Sequence, residues 1–176
     1  MIEGLQWAVA NGMQVVNMSL GSSSGNQSFA DAVAAAKSAG LTMVAAAGNS
    51  GGAVSYPAAY PEVIAVSATD NNDMIASFSS RGLEVDLAAP GVSIYSTYKG
   101  KTYKTLNGTS MASPHVAGAV ALLLTVPAKC DTDLSGSCSP DEVQTRLEST
   151  AYDLGAAGKD ALYGAGLLDV GALILH

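Results

Sequence analysis

Apolar and polar positions fall in blocks along this chain, and the period changes from block to block. Residues 3–11 have the spacing of a short amphipathic helix, and residues 15–20 form an apolar run of strand length. A Gly/Ser loop covers 21–27. A second helix is predicted over 30–39, stopped by Gly40, and a second strand over 41–47. Residues 63–69 read as a third strand and 70–73 as a turn. Between 84 and 106 short strand-like stretches around Pro90, Gly91 and Gly100 predict hairpins. Residues 110–124 are apolar nearly all round a helical wheel, which predicts a buried helix, and 141–149 are the final predicted helix. Repeated strand, loop, helix and strand predict an α/β fold, a mainly parallel sheet with helices on its faces. The chain starts inside a helix with no cap or strand before it, and three parallel strands make a small sheet. The expectation is that the N-terminal part of the domain is missing.

Composition narrows the function classes. The 176 residues suit one domain, and the net charge of −7, with eight scattered Lys and Arg, argues against nucleic acid. No apolar run reaches membrane-spanning length; the longest, 116–126, is broken by Gly118, so no membrane partner is expected. Trp7, Asn11 and Gln14 interrupt the start of the chain, where no signal peptide is visible. Cys130 and Cys138 have the wrong spacing for C-x-x-C redox or zinc sites. A local disulfide is the better reading and free thiols the alternative. Closing that loop would stabilise the fold by about 2.5 kcal/mol in the chain-entropy treatment and imply an oxidising compartment.

The segment NGTSMASPHVAG (residues 107–118) carries the sharpest chemistry. A Gly-containing turn delivers Ser110 to the start of a long helix, where free N–H groups and the positive end of the helix dipole favour an oxyanion. Pro114 is placed in the first turn, where a missing N–H costs least. This suits a serine nucleophile in acyl transfer, although a serine at a helix start also serves as a simple cap.

That segment resembles the serine motif of the subtilisin-like protease (subtilase) family. The resemblance extends through NMSLG (17–21), AAAGNS (45–50), YPAAYPEVIAV (56–66), FSSRG (78–82) and APGV (89–92), in the family's order. It covers nearly everything from residue 2 onward and is interrupted mainly at 127–140. It implies a three-layer subtilisin-like fold over 1–176 and a serine endopeptidase that hydrolyses peptide bonds through an acyl-enzyme on Ser110. Protein or peptide substrates and secretion from the cell come with it. Asn49 is implied as side-chain donor to the oxyanion, beside the Ser110 N–H, with Thr109 supporting that donor. Ser19, Leu20 and Gly21 form one wall of the specificity pocket, Ala45, Ala46, Ala47 and Gly48 the other, with Ser55 near its base. Tyr56–Pro57 matches a peptide that is cis in the family. A weak cation site would use the backbone carbonyls of Ala58, Tyr60 and Val63.

The family's catalytic order is Asp, His, Ser, and the first two have no counterpart here. His115 lies about 140° round the helix from Ser110 at 100° per residue, and is expected to be a packed, satisfied side chain. His176 ends the chain. The chain alone is therefore expected to be inactive and to need the N-terminal half of the domain. The alternative is a non-catalytic subtilisin-like binding or accessory protein.

The departure at 130–142 has its own logic. DTDLSGSCSPDE (131–142) matches the spacing of a calcium loop: Asp131, Asp133 and Ser135 at the first three oxygen positions, Gly136 at the sharp turn and Glu142 at the bidentate end. Ser137 would offer its carbonyl and Ser139 a water-mediated contact. The competing reading is a disulfide-closed acidic loop in which Ser139 caps the last helix.

Overall fold

The structure, a computed structural model, describes residues 1–175. His176 lies outside the described residues.

Four parallel strands, β1 (Val15–Met18), β2 (Thr42–Ala46), β3 (Ile64–Thr69) and β4 (Val85–Pro90), stand side by side in chain order. Helices α1 (Ile2–Ala10) and α2 (Gln27–Ser38) cover one face. There Leu5, Phe29 and Val33 pack on Met43, Ala45, Ala47, Ala65 and Val85. On the other face lie α3 (Thr109–Leu123), α4 (Pro140–Thr150) and α5 (Val170–Leu175). Val116, Val120, Leu123, Val143, Leu147 and Leu173 meet Val44, Val66, Leu87 and Ala89. Period-2 alternation along β2 and β3 sends successive side chains into these two cores. In β4 a register shift opposite Ala65/Val66 puts Val85 in one core and Leu87 and Ala89 in the other, giving the expected three-layer α/β architecture.

Several expectations need correction. The stretch from 84 to 106 is not all hairpin: Val85–Pro90 is the fourth parallel strand, and only β5 (Ile94–Tyr98) and β6 (Thr102–Leu106) pair antiparallel. Asp86 and Pro90 hide β4 from a hydropathy reading, because a carboxylate at a buried position reads as loop. Asp86 is nevertheless buried, accepting from the Ala65 N–H at 2.8 Å. Helix α2 starts earlier than predicted because the Asn26 side chain accepts from the Phe29 N–H and caps it. The helix over 141–149 is not the last: α5 follows, its Leu173 fully buried and its Ala172 and Leu173 carbonyls bonded by the Arg146 guanidinium. Helix α3 is not buried all round. Pro114, His115, Gly118, Ala121 and Leu122 are exposed in a stripe, while the opposite side is core.

Beyond α3, a 3₁₀ turn (Pro127–Lys129) leads into the loop closed by the Cys130–Cys138 disulfide, so the disulfide alternative holds over free thiols. No helix among the described residues is long and apolar enough to cross a membrane.

Candidate active site

Ser110 takes its place through three devices. Gly108, at φ 152, turns the chain into α3, and a Cβ there would stand 3.4 Å from the Asn49 Nδ2. Gly91 holds that turn from below: its carbonyl accepts the Gly108 N–H at 2.8 Å. A Cβ on Gly91 would come within 2.5 Å of Ala68 Cβ and 2.8 Å of the Gly108 oxygen, so only glycine lets the strand end pass beneath the helix start. The third device is Pro114. It lies one turn inside α3, not in the first turn as expected, and so withdraws the N–H that would bond the Ser110 carbonyl. The Ser19 hydroxyl supplies the missing donor at 2.9 Å. Ser19 Oγ also lies 3.0 Å from the buried Ser113 hydroxyl and accepts from Asn17 Nδ2 at 2.9 Å. The serine is thus tied across 91 residues of chain to the segment leaving β1.

The Ser110 Oγ itself donates only a long bond, 3.4 Å, to the Ser19 carbonyl. His115 is not packed as expected. Its ring is exposed because α3 is uncovered on that side, and it lines a cleft of about 390 Å³ with Ser110, Met111, Pro114 and the β5–β6 hairpin. Its Nδ1 lies 2.8 Å from the Met111 carbonyl on its own helix, and no hydrogen bond joins it to Ser110.

Asn49 is oriented by Thr109. The Asn49 Oδ1 accepts from both the Thr109 N–H, at 2.9 Å, and the Thr109 hydroxyl, at 3.0 Å. With its oxygen doubly held, the amide is fixed in orientation, its Nδ2 3.4 Å from where a Cβ on Gly108 would stand. Thr109 is fully buried, and its Oγ1 also accepts from the Gly48 N–H at 3.1 Å. One hydroxyl therefore fixes both the donor side chain and the loop that carries it.

A cavity of about 170 Å³ opens beside these groups, lined by Leu20, Gly21, Ala46, Gly48, Asn49, Ser55, Thr109 and Ser110. Most of the residues expected there are brought together. Ala45 and Ala47 are not: strand alternation turns both into the α1–α2 core, leaving Ala46 at the cavity. Ser19 contributes through its bonds to Ser110 instead of as cavity lining. The walls close tightly, since a Cβ on Gly48 would lie 2.5 Å from Ser55 Oγ and one on Gly21 3.0 Å from Ser55 Cβ. The Tyr56–Pro57 peptide that follows is cis. Two contributors escaped the sequence reading. Asn107 Oδ1 accepts from the Ser93 N–H at 2.6 Å, and Ser113 buttresses Ser19. Both sit inside residues 107–118, where a small polar residue near the serine carries no signal of its own.

At the acidic loop, carboxylate oxygens of Asp131, Asp133 and Glu142 lie within 4.8 Å of one another. Asp131 accepts from the Ser135 and Gly136 N–H groups, and Ser135 Oγ donates to the Ser137 carbonyl. Ser139 caps α4 in a reciprocal pair with Glu142. Hydrogen bonds from the Thr132 hydroxyl, the Ser139 and Thr132 N–H groups and the Ser139 hydroxyl pull the Glu142 carboxyl down to about 2. The set is all oxygen with three carboxylates, which fits a hard divalent cation. At the other expected cation site, Ala58 and Val63 are buried and the Tyr60 carbonyl already accepts the Val63 N–H at 3.0 Å.

The sequence model of the subtilase family matches residues 1–166. The chain is 50% identical to subtilisin DY of Bacillus licheniformis over 97% of its own length and 60% of that protein's. It is 48% identical to subtilisin Savinase of Lederbergia lenta over the same shares, 97% and 60%. Among solved structures, a lanthipeptide protease superposes with a TM-score of 0.86 at 26% identity, covering 98% of this chain and 64% of that one. The chain thus spans about 60% of the length of these two relatives.

Thr109→Val keeps the side-chain shape but leaves the Gly48 N–H without its acceptor. It is expected to lower the unfolding free energy by about 1–3 kcal/mol, read by denaturant titration, while Thr109→Ser stays near the parent.

Proposed function

Because this chain belongs to the subtilase family, we propose that it carries the nucleophile, oxyanion hole and specificity pocket of a serine endopeptidase acting on proteins or peptides. The observation that carries the reading is the Thr109 clamp on Asn49. A side-chain amide whose oxygen is doubly held is a preorganised donor, and it stands beside the serine at the start of α3. In the reaction, Ser110 Oγ attacks the peptide carbonyl and passes its proton to an imidazole. The carbonyl oxygen, now negative, accepts from Asn49 Nδ2 and the Ser110 N–H. The amine leaves with a proton returned by the imidazole, and water hydrolyses the acyl-enzyme. Substrate lies extended along residues 19–21, pairing as an added strand, with its side chain in the cavity floored by Ser55.

The base and its carboxylate partner come, in this reading, from the length of the relatives that this chain does not span. Two features support that. His115 is engaged on the Met111 carbonyl instead of on Ser110, and the uncovered side of α3 leaves room beside the serine. Ser110 alone is a weak nucleophile, so the chain by itself is proposed to be inactive. A non-catalytic accessory role would leave the clamp and the glycine-walled pocket without a use. The Cys130–Cys138 disulfide supports a place outside the cell.

We also assign Ca²⁺ to the 130–142 loop, held by Asp131, Asp133 and Glu142 with the Ser135 hydroxyl and Ser137 carbonyl. Its role is to pin the loop against α4. Ser139 serves as the helix cap, as its bonds to Glu142 support. Calorimetric titration of the chain is expected to show one calcium event that Glu142→Gln abolishes; equal titrations would leave only the disulfide-closed loop.

The catalytic reading is tested on the enzyme completed with its acid and base. Asn49→Leu should lower kcat by about 10²–10³ with little change in KM. That magnitude is the one established for the side-chain donor of subtilisin itself, not one derived from this chain. A loss confined to KM would contradict the assignment.

A further inference from the structure

The family resemblance implies a weak cation site at the turn 58–63, yet the residues around that turn already hold a cation of their own. Asp86 is the only acidic side chain buried among the described residues. It borders a cleft of about 420 Å³ lined by Tyr60, Pro61, Val63, Glu84, Gln144 and Lys159. A carboxylate in that position is costly unless a positive group and hydrogen-bond donors reach it. Here all are supplied from within. Lys159 Nζ stands 2.7 Å from Asp86 Oδ1, Gln144 Nε2 reaches the same oxygen at 3.2 Å, and the Ala65 N–H takes Oδ2 at 2.8 Å. Glu148 completes the cage, its Oε1 3.2 Å from the ammonium and 2.9 Å from Gln144 Nε2.

The loop bearing Lys159 is held so as to deliver it. Gly158, at φ 81, donates its N–H to Asp153 Oδ2 at 2.9 Å. Asp160 accepts from the N–H groups of Ala156, Leu162 and Tyr163. Lys159 is thus flanked on both sides by backbone anchored to carboxylates, and its side chain alone crosses to β4. Gly164 lets the same loop pass against that strand, since a Cβ there would come within 2.3 Å of the Asp86 carbonyl oxygen.

We infer that the Lys159 ammonium is a built-in cation that stands in for a bound metal ion beside the turn 58–63, so that this corner of the fold does without one. On this inference the carbonyls of Ala58, Tyr60 and Val63 hold no ion in this chain; Tyr60 and Val63 line the same cleft as Lys159. Removing the ammonium uncovers an ion site: the carboxylates of Asp86 and Glu148, which share Lys159 and Gln144 as partners, would be left with no positive charge between them, a donor set of hard oxygens suited to Ca²⁺.

Calcium calorimetry on the chain and on Lys159→Met, at matched ionic strength, tests this. The readout is the difference in the number of ions bound, in which any binding at the 130–142 loop cancels. Lys159→Met is expected to bind one ion more than the parent and to gain thermal stability with calcium beyond the parent's gain. Lys159→Arg should keep the parent's count, and adding Asp86→Asn to Lys159→Met should remove the extra ion. Should Lys159→Met fail to fold without calcium, recovery on adding it supports the inference and no recovery contradicts it. An unchanged ion count in a folded Lys159→Met would overturn it, as would a parent ion lost on Asp86→Asn alone.

Discussion

One hydroxyl, that of Thr109, ties the chemistry of this chain to its fold. It is fully buried, donates to Asn49 and accepts from the Gly48 N–H. Everything at the site follows from where that residue is held. It opens α3, so the long helix packed on Val44, Val66 and Leu87 sets its position. It grips the loop after β2, so Asn49, the cavity wall at Gly48 and Ser110 one residue further on share a single reference point. A polar group buried at this depth is expensive unless its bonds are complete, and here every one of them is made to the site itself.

Around that point the fold uses omission as much as contact. Proline at 114 withholds a helical N–H and so opens the Ser110 carbonyl to Ser19, binding the serine to the segment after β1. Glycine at 91 and 48 withholds side chains where neighbouring atoms would be met at 2.5 Å, and Gly108 takes a φ of 152° that side chains disfavour. At the far end of the sheet, electrostatics replaces sterics. Burial pushes the Asp86 carboxyl up in spite of its partners; burial pulls Lys159 down, but its bond to Asp86 and the two nearby carboxylates outweigh that and raise it. The ion pair braces β4 against the C-terminal loop.

Much of this was legible in the sequence, and the failures share a cause. The β-α-β alternation and the Ser110 segment announce themselves by period and motif. Strand β4 did not, because Asp86 and Pro90 break an apolar run whose burial depends on a lysine 73 residues away. The exposed side of α3 departs from expectation because an apolar wheel says only that a helix prefers cover, not that cover is present. His115 is exposed with it. Ala45 and Ala47 share a contiguous motif with the pocket residues, but alternation sends only Ala46 to the cavity and turns the other two into the core. Local sequence reports local preference; these positions were decided by partners far along the chain.

The central proposal is that Ser110 is the nucleophile of an oxyanion site whose base this chain does not itself supply. The most direct measurement is labelling of the purified chain by a fluorophosphonate, together with turnover of a chromogenic peptide. Each is recorded with and without the N-terminal half of a related enzyme, and with Ser110→Ala as control. The account predicts silence from the chain alone and Ser110-dependent labelling and turnover once the second half is added. Turnover by the chain alone, abolished by Ser110→Ala, would contradict it and direct the search for a base to His115.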